Sequence, residues 1–405
     1  MLTVALLLTG AALLVLAFAE RALRPLPVTP AMLYLLLGAA GGAIFGAPSA
    51  AQLQSIAPML AVALELALLV SLFAVGLRLR LAPGWRSWRV ALLLAGPGMV
   101  VAIGLGAALA VLLFDWPWSL AILLASILAP TDPVLASDVQ VVSEHDRDAV
   151  RVSLTAEGAV NDGTALPAVL AGLWLMQHPP SAAGAAELTQ LVWPVVGGAL
   201  LGIALGWLLG LVIRARARRG DPLVRDELLT MGGVVLAYGV ALATHTSAFV
   251  VAFALAVTLL QPLRRDPETP SESPLAERLH AFGARIEGLV EAVAVMAVGV
   301  GLMMVPWSAS LLVFALACSL VVRPLSVFAV VWPSLMPSHQ RRLVAWFGIR
   351  GVGSLYYLAY AMAQDIDPVL ATQLLGLTLA SVAASILLHG LSVTKLMKTP
   401  RQRRH

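Results

Sequence analysis

The chain has 405 residues, 60% of them hydrophobic and 12% charged, with a mean hydropathy of +0.91. A soluble protein carries about a quarter charged residues, so soluble multidomain folds are excluded, and a lone cysteine, Cys318, excludes an internal disulfide or a cysteine metal cage. A net charge of +4 and a pI near 9.6 would suggest nucleic acid in a soluble chain, but here the placement of the basic residues gives them another meaning.

Apolar runs broken by proline, glycine and charge predict thirteen spans, each near the ~20 residues that cross a bilayer as a helix. Their limits are 2–19, 28–46, 57–77, 89–114, 117–137, 149–177, 190–213, 227–245, 247–262, 286–304, 308–331, 342–363 and 368–391. Only the turn Thr-His-Thr-Ser-Ala separates spans 8 and 9. The fold class is therefore an all-α polytopic membrane protein. Every lysine and arginine except Arg323 and Arg350 falls after an odd-numbered span or in the tail. The even-numbered connections carry Asp115, Glu187, Asp365 and Asp367 instead. Basic loops stay in the cytoplasm, so the amino terminus is expected outside and the carboxyl terminus inside. Ala-Phe-Ala before Glu20 looks like a leader cleavage site, but nothing basic precedes that apolar run, and Arg21 and Arg24 follow it. Span 1 is read as an uncleaved helix.

Thirteen spans divide as six, one and six, and spans 1–6 then run opposite to spans 8–13. This is the inverted-repeat plan common among secondary transporters. The expected limits are about 1–177 for repeat one, 190–213 for a linking helix and 227–391 for repeat two. All lie in a membrane domain 1–392 followed by a short basic tail 393–405. The stretch 261–285, rich in Pro, Ser and Glu, reads as a cytoplasmic linker. Span 5 contains Leu-Ala-Pro-Thr-Asp-Pro-Val-Leu-Ala (128–136) and span 12 contains Phe-Gly-Ile-Arg-Gly-Val-Gly-Ser-Leu (347–355). Both place helix breakers and a charge in mid-membrane, where freed backbone groups persist only if protein or a water-filled cavity satisfies them. In span 7, Gly198, Gly202, Gly206 and Gly210 recur every fourth position, a spacing that lets another helix approach closely.

The charges left inside spans are Glu65, Asp132, Glu157, Asp162, Arg323 and Arg350, with Glu287 and Glu291 at the inner end of span 10, near headgroups or Arg285. At about 2.5–3.5 kcal/mol each, the first six would together cost on the order of 15 kcal/mol unless paired, neutral or hydrated. Glu157 and Asn161 share a helix face, and Asp162 is rotated from them by about 100°. Glu157 is expected to pair with Arg350 as a structural ion pair. That leaves Asp162 without a basic partner, free to hold a proton or exchange it for a cation. Asp132, between Thr131 and Pro133, has the composition of a helix cap. In a mid-membrane break, its carboxylate, the Thr131 hydroxyl and freed carbonyls are also oxygen ligands for a monovalent metal cation.

At these residues the chain resembles a family. Leu-Ala-Pro-Thr-Asp-Pro-Val-Leu-Ala, Glu-Gly-Ala-Val-Asn-Asp-Gly (157–163), Val-Val-Arg-Pro-Leu-Ser-Val-Phe (321–328) and Gly-Ile-Arg-Gly-Val-Gly-Ser-Leu-Tyr-Tyr-Leu-Ala-Tyr-Ala (348–361) are similar, in order and spacing, to the NhaP-like branch of the monovalent cation/proton antiporters. The likeness covers essentially the whole chain. It implies a homodimer whose protomers combine a dimerisation domain with a core domain, the latter built around crossed broken helices in spans 5 and 12. It implies Asp162 as the main proton- and cation-binding carboxylate, with Asn161, Thr131 and Asp132 around it, Glu65 in support, and Glu157 with Arg350 as the structural pair. An Asn-Asp pair in place of Asp-Asp resembles the electroneutral branch, which trades one cation for one proton. Gly158 departs from the pattern, since some relatives carry a serine ligand there.

The resemblance thus implies an antiporter, not an enzyme, exchanging Na⁺ (or Li⁺ or K⁺) for H⁺ in the inner (plasma) membrane of a bacterium, with no cofactor, nucleic-acid partner or soluble regulatory domain. Two other readings are weaker. An intramembrane aspartyl protease would use Asp132 and Asp162, but neither lies in a Tyr-Asp or Gly-x-Gly-Asp motif. A transporter of anions or organic solutes would use Arg323 and Arg350, which both have candidate acid partners. The seven histidines form no ligand cluster, and His245 reads as a turn residue.

Overall fold

The computed structural model describes residues 28–79, 84–132, 148–178, 185–219, 226–264, 274–364 and 366–397, together with Gly10, Leu14, Val139 and Val141. Span 1, the second half of span 5 after Asp132, the middle of the 261–285 linker and the end of the tail lie outside the described residues. Among those described, the secondary structure is all helical.

Span 2 is α1 (Pro30–Phe45) and span 3 is α2 (Ala50–Arg78), which opens with a reciprocal cap between Ser49 and Gln52. Span 4 is α3 (Trp85–Phe114), widened to a π-helical turn where Pro97 removes a backbone donor. Span 5 begins as α4 (Trp118–Leu128) and leaves the helix at Ala129. Then follow α5 (Ala149–Gln177), α6 (Ala185–Arg218), α7 (Asp226–Thr244) and α8 (Ala248–Leu259) for spans 6 to 9. The predicted turn between spans 8 and 9 is present, with His245 in the left-handed region at φ 54°. Span 10 is α9 (Pro274–Gly301) and span 11 is α10 (Ala309–Val330), which also contains a π-helical turn, Cys318–Val322. Span 12 is broken into α11 (Ser338–Trp346) and α12 (Val352–Met362). Span 13 is α13 (Pro368–Leu396). Seven of these helices are long and apolar enough to cross a bilayer, and four shorter helices are apolar throughout.

One expectation is corrected. The helix of span 10, expected from residue 286, starts at Pro274, inside the 261–285 stretch read as a linker. Proline suits the first helical position, and the Leu, Ala, Glu and Arg that follow are good helix formers.

The helices pack chiefly in two groups. In one, α8 lies against α6, α2 and α7, and α9 lies against α1 and α2. In the other, α4 lies against α3 and α5, and α10 lies against α13 and α11. The second half of span 12, α12, crosses from the second group to rest on α2. An apolar cavity of about 410 Å³ runs along this seam, lined by side chains such as Leu60, Leu64, Val298, Leu358 and Leu379.

The glycine stripe of span 7 is the surface that receives α8. A Cβ at Gly202 would lie 2.5 Å from the Val251 carbonyl oxygen, and one at Gly206 would overlap the Leu255 carbonyl oxygen. Both obstacles are backbone, so the helices must separate to admit a side chain. Gly206→Leu is expected to destabilise the protein by about 1–3 kcal/mol, read as a lower Tm in detergent. Gly104→Leu, where a Cβ meets open space, should leave the Tm unchanged.

Candidate ion-binding site

The two breaks in spans 5 and 12 meet, and each satisfies the other's backbone. The Asp132 amide donates to the Ile349 carbonyl at 2.7 Å, and the Val352 amide donates to the Asp132 carboxylate through Oδ2. Val352 is the first residue of α12, whose own preceding residue, Gly351, supplies no side-chain cap. Asp132 is thus a helix cap, as its neighbours in sequence implied, but the helix it caps belongs to another span. A carboxylate there is favoured by the N–H groups and the positive end of the α12 dipole.

Helix α5 lies beside this crossing and presents a different side chain to each of three neighbours. Asn161 donates from Nδ2 to the Thr131 hydroxyl at 2.9 Å, and its Oδ1 has no hydrogen-bond partner among the described residues. Asp162 is fully buried, and among the described residues neither of its carboxylate oxygens has a hydrogen-bond partner. It faces the first turn of α12, where a Cβ on Gly353 would lie 2.5 Å from Oδ1. The Tyr357 hydroxyl, one turn further along α12, donates to the Asp162 backbone carbonyl. Glu157, one turn before Asn161, turns away toward α10.

The expected Glu157–Arg350 pair is not formed. Glu157 is held by Arg323, with Nη1 on Oε1 and Nη2 on Oε2 at 2.8 Å, a two-pronged match between guanidinium and carboxylate. Nη2 also donates to the carbonyls of Val344 and Phe347 at 3.1 and 3.0 Å, at the end of α11. Gly348 makes room, since a Cβ there would collide with the Arg323 side chain. Arg350 is satisfied by neutral oxygens. Its Nε donates to the Leu128 carbonyl at 2.6 Å, and its Nη2 to the Cys318 carbonyl at 3.2 Å. The Leu128 carbonyl is open because α4 ends there and the Asp132 amide turns to Ile349, whereas the Cys318 carbonyl also accepts the Arg323 amide within the π-helical turn of α10. The C-terminal end of α4 carries partial negative charge, so a cation is stabilised there without a carboxylate.

The other intramembrane acids lie apart from these contacts. Glu65, half-buried on α2, accepts a hydrogen bond from Tyr238 of α7 at 3.4 Å. Glu287 pairs with Arg78, the last residue of α2, and not with Arg285. Among the described residues, no three His, Cys, Asp or Glu side chains cluster as a metal site. Sequence reasoning passed over Tyr357, whose place in an apolar helical run reads as core. It also passed over Gly353, whose lack of a side chain lets α12 reach Asp162.

The transmembrane sodium/hydrogen exchanger family profile matches residues 10–399. The chain belongs to that family. It is 26% identical over 327 residues to the Na⁺/H⁺ antiporter NhaP of Pseudomonas aeruginosa, covering 76% of this chain and 73% of the relative. It is 26% identical over 310 residues to the Na⁺/H⁺ antiporter NhaH of Halobacillus aidingensis, covering 74% and 73%. Its fold is that of the sodium proton antiporter MjNhaP1 of Methanocaldococcus jannaschii. The pH 8 structure of that antiporter superposes with a TM-score of 0.72 at 18% identity, covering 96% of this chain and 99% of that one. An electron-microscopy structure of the same antiporter gives a TM-score of 0.75, covering 98% and 97%. The protein is therefore an integral membrane cation/proton exchanger, a transporter and not an enzyme.

Proposed function

We propose that Asp162 is the carboxylate at which proton and cation compete, and that exchange is one Na⁺ for one H⁺. The observation that carries this is the pair of Asp162 oxygens, buried in mid-helix and without a hydrogen-bond partner among the described residues. A carboxylate out of water is stable only when neutralised, by a proton or by a bound cation. Because Asn161 spends its amide N–H on Thr131, its free Oδ1 adds a second, neutral oxygen ligand. An all-oxygen set suits a hard cation. Glu157 is committed to Arg323, and one oxygen of Asp132 is committed to α12, which leaves Asp162 as the single exchanging acid. Thr131 and Asp132 then shape the site, Asp132 by holding the α12 N-terminus toward the cation, and Glu65 supports it from α2.

Alternating access is a movement of the group holding α3–α5 and α10–α13 against the group holding α1, α2 and α6–α9, along the seam between α2 and α12. The apolar lining of the cavity there fits such a movement, since it offers no directional bonds to break. The two groups correspond to a core and a dimerisation domain, in a homodimer of the bacterial plasma membrane with its amino terminus outside and its carboxyl terminus in the cytoplasm. Spans 1–6 and 8–13 are its inverted repeats.

Stoichiometry is tested in proteoliposomes whose potential is clamped with a K⁺ gradient and valinomycin while Na⁺-driven proton movement is followed. One acid trading one proton for one cation moves no net charge, so rates at zero and at negative-inside potential should coincide. A marked dependence on potential means that a second carboxylate, Asp132 first among them, also cycles its proton.

A further inference from the structure

The break in span 12 leaves Trp346 and Arg350 in the register of a missing bond. In an uninterrupted helix the amide of Arg350 would donate to the carbonyl four residues earlier, that of Trp346. Here both groups turn to span 13 instead. The Arg350 amide donates to the Ser385 hydroxyl at 3.0 Å. The Trp346 carbonyl faces His389 Nε2 at 2.8 Å, and since a carbonyl only accepts, Nε2 carries the proton. Ser385 and His389 are both buried and sit one turn apart on α13. Ser385 Oγ lies 3.2 Å and the Ser385 carbonyl 2.8 Å from His389 Nδ1. On a neutral ring Nδ1 accepts a hydrogen bond from the Ser385 hydroxyl, and on an imidazolium Nδ1 donates to that carbonyl. The bonds to Trp346 and Arg350 are the same in both states.

We propose that Ser385 and His389 are positioning residues for ion exchange: together they replace the helical hydrogen bond between Arg350 and Trp346 and so keep span 12 open at residues 347–351. Without them, the two freed groups would pair with each other, and α11 would extend through Arg350. Ile349 would then turn its carbonyl away from the Asp132 amide, and the start of α12 would shift against Asp132 and Asp162. A third polar residue on the same face secures the same end of α11, as Trp346 Nε1 donates to Ser392 Oγ at 2.8 Å.

This proposal rests on the reading of Asp162 as the ion site, and that reading is tested separately, by exchange in Asp162→Asn. The present test compares His389→Leu, His389→Gln and Ser385→Ala in proteoliposomes, measuring the Na⁺ concentration dependence of exchange alongside Tm. Leucine fills the space of the ring but donates nothing, whereas glutamine keeps an amide N–H for the Trp346 carbonyl. His389→Leu and Ser385→Ala should raise the KM for Na⁺ about ten-fold with a smaller change in kcat, and His389→Gln should recover most of the loss. Should His389→Leu fail to fold, Ser385→Ala, which removes a single oxygen, carries the same prediction. A wild-type KM in Ser385→Ala overturns the proposal. So does a KM raised equally by leucine and glutamine at position 389, which would mark a packing role alone.

Discussion

Asp162→Asn is expected to abolish cation/proton exchange, by about a hundred-fold or more, while leaving the protein folded. The asparagine is nearly isosteric and adds no charge, so the approach of Gly353 and the hydrogen bond from Tyr357 to the backbone carbonyl of residue 162 are retained. What is lost is the negative charge that a proton or a cation must neutralise. Glu157 cannot substitute, because both its oxygens are bound by Arg323, and one oxygen of Asp132 is held by the α12 N-terminus. A buried carboxylate without hydrogen bonds is a cost to the fold, so the Tm of the variant should equal or exceed that of the wild type. Exchange near the wild-type rate in Asp162→Asn would remove this carboxylate from the mechanism.

The largest stability losses are expected at the Glu157–Arg323 pair. Removing one partner from a buried pair leaves an uncompensated charge and costs about 3–5 kcal/mol. In Arg323→Ala the carbonyls of Val344 and Phe347 are orphaned as well. Arg350→Ala should cost less, about 1–3 kcal/mol, because it strands the neutral Leu128 carbonyl and no charge. The order of Tm in detergent is then Asp162→Asn highest, Arg350→Ala intermediate, and Glu157→Ala and Arg323→Ala lowest. A double-mutant cycle makes the assignment specific: coupling of more than about 1 kcal/mol between positions 157 and 323, and close to none between 157 and 350. The reverse result would restore the pairing expected from sequence.

That pairing shows where sequence reasoning stops. Among the described residues, spans 2 to 13 were legible because apolar runs long enough to cross a bilayer are punctuated by proline, glycine and charge. The breaks in spans 5 and 12 were legible because proline and glycine cannot continue a helix without cost. The choice between Arg323 and Arg350 was not legible, since both are lone arginines in the adjacent spans 11 and 12. It depends on the π-helical turn before Arg323 and on the Leu128 carbonyl left open at the end of α4, features that no periodicity encodes. Asp132 carried both a cap signal and a ligand signal, and only the crossing of two spans shows that it caps a helix more than two hundred residues away. The role of span 13 had a trace in the sequence. Thr378, Ser381, Ser385, His389 and Ser392 recur at three- and four-residue intervals along an apolar helix, a polar stripe that no lipid-facing surface would carry.

The central claim, that proton and cation share Asp162, is tested most directly by proton release on cation binding. Purified protein in weakly buffered detergent solution, at a pH where the site holds its proton, is titrated with Na⁺ while the proton concentration is followed. Release of about one proton per protomer is expected from the wild type, saturating with Na⁺, and none from Asp162→Asn. Undiminished release from Asp162→Asn would show that the exchanging carboxylate lies elsewhere.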